Sequence, residues 1–233
     1  MVSLHRKRRA ILLIITFVIF VVTVAIDMPS KINNSTSVDQ VKNNNTLDLA
    51  LTALEDLEIK GRAPKTNYSR AQFGATWTTT NGCDTRNIIL NRDLLNPIVD
   101  KNCNVISGVL NDPYTGESIN FIRGSKTSSA VQIDHVVALS DAWQKGAQQL
   151  TLEKRIELAN DPLELLAVDG IANQQKSDGD AATWLPSNKP FRCQYVARQV
   201  SVKRKYGIWV TQAEYNAMIN ILNKCLDQLL PTS

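Results

Sequence analysis

The chain has 233 residues and a net charge of +4, and Arg6, Lys7, Arg8 and Arg9, with no acid before Asp27, account for that whole excess. The remainder is balanced, so overall charge gives no argument for nucleic-acid binding. Only two histidines, His5 and His135, exclude a two-His metal site, and four widely spaced cysteines without a CxxC pair argue against a zinc centre.

In chain order, the basic cluster is followed by an uncharged apolar run from Ala10 to Ile26, the pattern of an export segment. The run is at the short limit for a spanning helix and slightly long for a signal-peptide core. Thr23-Val24-Ala25 offers a small-residue cleavage site, whereas the lack of Gly or Pro in the run favours an uncleaved anchor. Residues 1 to 26 are therefore expected to be a signal peptide or a signal anchor, with the basic cluster on the cytoplasmic side. The rest is expected to be extracellular, secreted or held at the outer face of the cell membrane by residues 10 to 26; the membrane is a partner only if the segment stays uncleaved.

Residues 27 to 45, DMPSKINNSTSVDQVKNNN, are polar and without apolar periodicity, and are expected to form a flexible tether. About 205 residues remain beyond the export segment, enough for one domain, placed at residues 46 to 233. Leu47, Leu51, Leu54 and Leu57 keep helical spacing, with Thr46 as N-cap and Gly61 as stop. CDTRNIILNRDL predicts a disulfide-fixed turn leading into a helix. Strands around Val105 to Leu110 and Ile119 to Ile122 flank the turn-forming NDPYTGE and predict a hairpin. A third strand, Ala130 to Ile133, delivers Asp134 and His135, and helical segments 141 to 160 and 211 to 230 flank the remaining motif. Trp77, Trp143, Trp184 and Trp209 read as packing anchors.

Cys83, Cys103, Cys193 and Cys225 form an even set in an exported chain, which predicts two disulfides. Three connectivities are open. The local one, Cys83 with Cys103 and Cys193 with Cys225, closes two modest loops and is the expected one, each bridge contributing on the order of 3 kcal/mol.

Residues 131 to 141, VQIDHVVALSD, put an acid and an imidazole side by side in an apolar run. A Ser-His-Asp arrangement lacks its GxSxG elbow, and cysteines spent on disulfides weaken Cys-His catalysis. One chemistry that works with a lone histidine is metal-assisted phosphodiester hydrolysis, in which the imidazole deprotonates water and a divalent cation neutralises the phosphate. Asp134 supplies a carboxylate, and because adjacent strand residues point to opposite faces, Asp134 and His135 can approach a phosphate from different sides. Downstream, NDPLELLAVDGIANQQKSDGDAATWLP holds a strand-like piece, Leu163 to Val168, a turn at Asp169-Gly170, and Asn173, whose amide oxygen suits a hard cation. Lys176 lies near the start of a short helix and is expected to face a phosphate.

Seven blocks, LEIKGRAPKTNYSRAQFG, GCDTRN, DPYTG, IDHVVALSDAW, NDPLELLAV, ANQQKSDGDAATWLP and YVARQVSVKRKYG, resemble the HNH (ββα-metal, His-Me finger) nucleases. The closer resemblance is to secreted proteins of the DUF1524, GmrSD C-terminal-like type, over roughly residues 56 to 226. It implies that His135 is the general base, that Asp134 is a metal ligand, and that Asn173 replaces the final His of the signature as second ligand. The same pattern is similar to the HNH domain of RNA-guided CRISPR nucleases, which implies one divalent ion, Mg²⁺ or alternatively Mn²⁺. At the middle position, where the resemblance implies an Asn that braces the finger and helps orient the histidine, this chain has Glu164. A main-chain carbonyl bond would survive that change; a side-chain amide bond would not. WTTTNGC, residues 77 to 83, is a second departure, shorter and less acidic than the resemblance implies.

Lys189, Arg192, Arg198, Lys203, Arg204 and Lys205 fall in an acid-free segment with Tyr195 and Tyr206, which reads as a solvated face or as a track for a polyanion backbone. Arg198, Lys203, Arg204 and Lys205 are the expected nucleic-acid contacts. Arg86 and Arg123 are candidate phosphate clamps that could equally tie loops to the domain. The expected fold is thus α+β, a ββα-metal core with flanking helices and two disulfides. The expected activity is an exported metal-dependent endonuclease acting on DNA, or RNA, with little base specificity, in which Lys176 assists electrostatically. Two alternatives stay open: a surface module that has lost activity through Glu164 and binds nucleic acid or another polyanion, and a hydrolase of another cell-envelope phosphodiester.

Overall fold

The computed structural model describes residues 48 to 232, and the export segment, the tether and the Thr46 cap lie outside them. Among the described residues, no helix is long and apolar enough to cross a membrane. The helices are α1 (Ala50–Glu55), α2 (Thr85–Asp93), α3 (Leu139–Gln144), α4 (Leu152–Asn160), α5 (Gly170–Lys176), α6 (Arg192–Tyr206) and α7 (Gln212–Leu222). The strands are β1 (Thr79–Thr80), β2 (Cys83–Asp84), β3 (Leu94–Val99), β4 (Val105–Asn111), β5 (Ser118–Ile122), β6 (Val131–His135) and β7 (Leu165–Asp169). The architecture is mixed α+β.

Side-chain caps written in the sequence open four helices: Asp84 for α2, Thr151 for α4, Asp169 for α5 and Thr211 for α7 each accept from a backbone N–H of the first turn. Helix α6 ends where Gly207 takes a left-handed φ of 64°, a conformation glycine adopts without Cβ strain. Several expected boundaries move. Helix α1 stops at Glu55, well short of Gly61, and residues 141 to 160 divide into α3, a 3-10 turn (Ala147–Gln149) and α4. Helix α5 ends at Lys176, so Gln174 and Lys176 sit in its last turn and not at its start.

Strands β3, β4 and β5 form an antiparallel sheet in that order. Strand β3 has no signal in the sequence because it contains Pro97. It lies at the sheet edge, where a missing N–H is tolerated, and its register slips between Leu95 and Ile98. The expected hairpin is β4–β5, with Leu110 opposite Ile119. Strands β6 and β7 pair antiparallel, Asp134 opposite Leu166 and His135 opposite Leu165.

This two-stranded ladder divides the interior. Ile133, Leu165 and Ala167 join Ile89, Leu90, Leu110 and Phe121 in one apolar cluster; Leu166 and Val168 join Val136, Ala172, Tyr195 and Val200 in the other. Period-2 alternation therefore feeds both cores, each fully buried Leu or Val contributing about 1.5–3 kcal/mol. It also explains the acid and the imidazole in an apolar run: they leave the strand on opposite faces, Asp134 towards α5 and His135 away from it.

Cys83 pairs with Cys103 and Cys193 with Cys225, at Cα separations of 5.2 and 6.4 Å, the local connectivity. The first ties β2 to the β3–β4 turn, and the second ties α6 to the segment after α7. Gly170 fixes α5 on β6, since a Cβ there would lie 2.1 Å from the Ser129 carbonyl oxygen, just ahead of β6.

Candidate active site

His135 ends β6 with 5% of its surface exposed. Its Nε2 lies 3.0 Å from the Ala159 carbonyl at the end of α4, and its ring stacks on Trp77 at 5.6 Å and 9°. A carbonyl only accepts, so in the neutral ring Nε2 carries the hydrogen and Nδ1 keeps a lone pair. Burial, then the Arg70 charge, pushes the imidazole pKa down to about 3. The ring is neutral at neutral pH.

Asp134 leaves the other face. Tyr114 Oη donates to its Oδ2 at 2.5 Å and Lys176 Nζ to its Oδ1 at 3.0 Å. Burial raises the carboxyl pKa, and the Lys176 charge and the Tyr114 hydrogen bond oppose it. Asn173, on α5, donates from Nδ2 to Gln132 Oε1 at 2.9 Å. Asp134, His135, Gln132 and Asn173 share a cleft of about 460 Å³, and a second cleft of about 290 Å³ lies between His135, Trp77 and Asn160.

Three expectations for individual residues are corrected. Lys176 does not face a phosphate: it is 2% exposed, and its ammonium is spent on Asp134 and on the His135 carbonyl at 2.8 Å, so it holds the end of β6. Glu164 does not orient the imidazole, a task that falls to Ala159. Its carbonyl accepts from Val136 N at 2.9 Å and its Oε2 from Val137 N at 3.2 Å, which braces the turn after His135. Lys203 is no nucleic-acid contact, because it is 1% exposed and its Nζ sits 3.0 Å from Glu214 Oε1 in the helical core.

The other expected contacts are dispersed. Arg86 donates to the Val131 carbonyl and ties α2 to β6, and Arg123 donates to the Val105 carbonyl and to Asn87 and ties the end of β5 to β4 and α2. Arg198 is half-buried on the Leu163 carbonyl at 2.9 Å; Arg204 pairs with Asp48 and Lys205 with Asp161. None of these five, nor Lys203, lines either cleft beside His135. Three residues that do shape the site escape sequence reasoning. Tyr114 sits in a block that reads only as a turn, Trp77 reads as a packing anchor, and Arg70 lies in the YSRAQFG stretch, where nothing local singles it out.

The family described as GmrSD restriction endonucleases, C-terminal domain, matches residues 84–221, more than half of the chain and the span holding Asp134, His135, Glu164 and Asn173. The chain belongs to this family. Within the GmrSD C-terminal-domain family, an "Uncharacterized secreted protein" of Arthroderma benhamiae (strain ATCC MYA-4681 / CBS 112371) is 37% identical over 179 residues, 76% of this chain and 84% of that protein. No solved structure matches the chain. Membership of a GmrSD restriction-endonuclease family makes a nuclease the first reading of the cleft at His135.

Proposed function

We propose that the chain is an exported, metal-dependent endonuclease of the ββα type. The hydrogen bonding of His135 carries this reading: its Nε2–H is committed to the Ala159 carbonyl, which leaves the Nδ1 lone pair to accept a proton. Nδ1 would take a proton from water as the water oxygen bonds to phosphorus, the bond from phosphorus to the 3′ oxygen breaks, and the leaving oxygen takes a proton from solvent. Strands β6 and β7 pair antiparallel and helix α5 packs on both, the strand–strand–helix arrangement that the ββα reading requires. Trp77 and Ala159 hold the ring, and Tyr114 and Lys176 hold Asp134.

The donor set suits a small hard cation. Asp134, Asn173 and Gln132 bring oxygens to one cleft; each Asp134 oxygen accepts one hydrogen bond and keeps a second lone pair, and among the described residues nothing donates to the Asn173 side-chain oxygen. Among those residues no group of three or more His, Cys, Asp or Glu could hold a metal ion. A Mg²⁺-type ion does not require one, since it keeps several waters and uses one or two carboxylates together with substrate phosphate. Held by Asp134 and Asn173, it would neutralise charge on the phosphate and the departing oxygen.

Export is supported by the name of the secreted relative and by the two disulfides. Little base specificity is expected, because among the described residues no α-helix lining either cleft brings a lysine or arginine to it. The test is cleavage of supercoiled plasmid by the oxidised protein. Nicking with Mg²⁺ or Mn²⁺ that EDTA abolishes is expected; a folded, disulfide-bonded protein that cleaves with neither ion, or equally well in EDTA, would overturn the reading.

A further inference from the structure

With Lys176 turned inward, Arg70 is the one basic side chain, among the described residues, that lines either cleft beside His135, and it lines both. Its backbone is anchored. Arg70 opens a 3-10 turn (Arg70–Phe73) whose Phe73 is 2% exposed and lies edge-on to Tyr68 and Trp143 at 6.4 and 6.2 Å. Arg155 Nε donates to the Gln72 carbonyl at 2.8 Å and fastens the same turn to α4. The Arg70 side chain is exposed, and among the described residues its guanidinium makes no hydrogen bond or ion pair. A rigid base carrying an uncommitted five-donor fork is the arrangement that recognises a phosphate bidentately.

We infer that Arg70 grips the scissile phosphate of a nucleic-acid strand at the two clefts that it lines together with His135. The inference rests on the proposed nuclease reading for the phosphate's being cleaved, though not for its being bound. An arginine engaging the non-bridging oxygens stabilises the charge that develops as water attacks, a contribution of roughly 10²–10³-fold for a preorganised donor. Arg70 also supplies the cation that the sequence assigned to Lys176.

The experiment compares the full chain carrying Arg70→Ala, Arg70→Lys or Arg70→Gln with wild type, with Arg204→Ala as a control for an exposed cation outside the clefts. Steady-state cleavage is measured on a fluorescent DNA oligonucleotide and on bis(4-nitrophenyl) phosphate, and binding of the same oligonucleotide is measured in EDTA across salt concentrations. Arg70→Ala and Arg70→Gln are expected to lower kcat/KM by about 10²-fold on both substrates at unchanged Tm, and to reduce the salt slope of binding by about one. Arg70→Lys should keep the slope and recover only part of the rate, while Arg204→Ala stays within about twofold of wild type on the small diester, which lacks a backbone to steer. Wild-type rates in Arg70→Ala or Arg70→Gln would overturn the assignment, as would a loss confined to the oligonucleotide, which would mean long-range steering alone. If wild type cleaves nothing, the nuclease reading fails by itself; Arg70 is then judged on binding, where an unchanged salt slope in the Gln variant refutes it and a slope reduced by about one supports it.

Discussion

Glu164 is a carboxyl with no exposure: Oε2 takes the Val137 N–H and Oε1 has no partner among the described residues. Burial pushes its pKa well above the ordinary carboxyl value, against the Val137 N–H and the Lys176 charge; Asp134 adds to the rise and Lys203 opposes it. In the unfolded chain the group ionises near pH 4.3. Between that value and the raised folded pKa the native state holds the extra proton, so stability declines as pH rises through that window. Glu164→Gln removes the titration. Its thermal melt is expected to exceed wild type by roughly 2–4 °C at pH 8, the shift that about 1 kcal/mol produces in a chain of this size, and to converge with wild type towards pH 4. A destabilisation by Glu164→Gln that is larger at pH 8 than at pH 4 would mean that Glu164 is ionised and paired in the fold. At this scale the sequence exposed the opposite-face placement of Asp134 and His135, because a period of two separates neighbours by face. It hid the burial of Lys176, since a lysine one turn beyond Asn173 reads the same whether it points outward or back to β6.

Among the elements, the strand–strand–helix unit depends on how closely α5 approaches the chain entering β6. Gly170 sits at that approach, and its missing Cβ leaves room for the Ser129 carbonyl. Backbone cannot yield as a flexible side-chain tip can, so Gly170→Ala should push α5 away from β6, cost about 1–3 kcal/mol or more, and separate Asn173 from Gln132. A lowered Tm with a several-fold loss of cleavage is expected; an unchanged Tm and rate would show that the two elements are not in close contact there. The hairpin and the local disulfides were legible because each closes a modest loop. The basic stretch of α6 misled because contiguity is not a face: at about 100° per residue, Arg198, Lys203, Arg204 and Lys205 scatter round the helix. Val196, Gln199, Val200 and Lys203 share the buried stripe. Strand β3 was hidden by a proline that only an edge position accommodates.

Across the whole molecule, the helical core carries a neutral ion network. Lys145 Nζ reaches Asp141, Asp180 and Glu214 at 2.8, 2.8 and 2.6 Å, Lys203 adds to Glu214, and Arg62 closes on Asp141 and Asp180 at 2.7 Å each. Three cations balance three anions and join α3, α6 and α7 to the loop after α5. That long-range pairing had no local signal in the sequence. On the far side of the β6–β7 ladder, the sheet and α2 supply the second core, and the clefts at His135 open where the ladder meets α4, α5 and the turn that carries Arg70. The proposed cleavage at this cleft depends above all on His135 acting as the base. The most direct test is the rate of plasmid cleavage by His135→Ala against wild type, both oxidised, folded and supplied with Mg²⁺. A loss of roughly 10²–10⁴-fold at comparable DNA binding is predicted, and cleavage at the wild-type rate would contradict the mechanism.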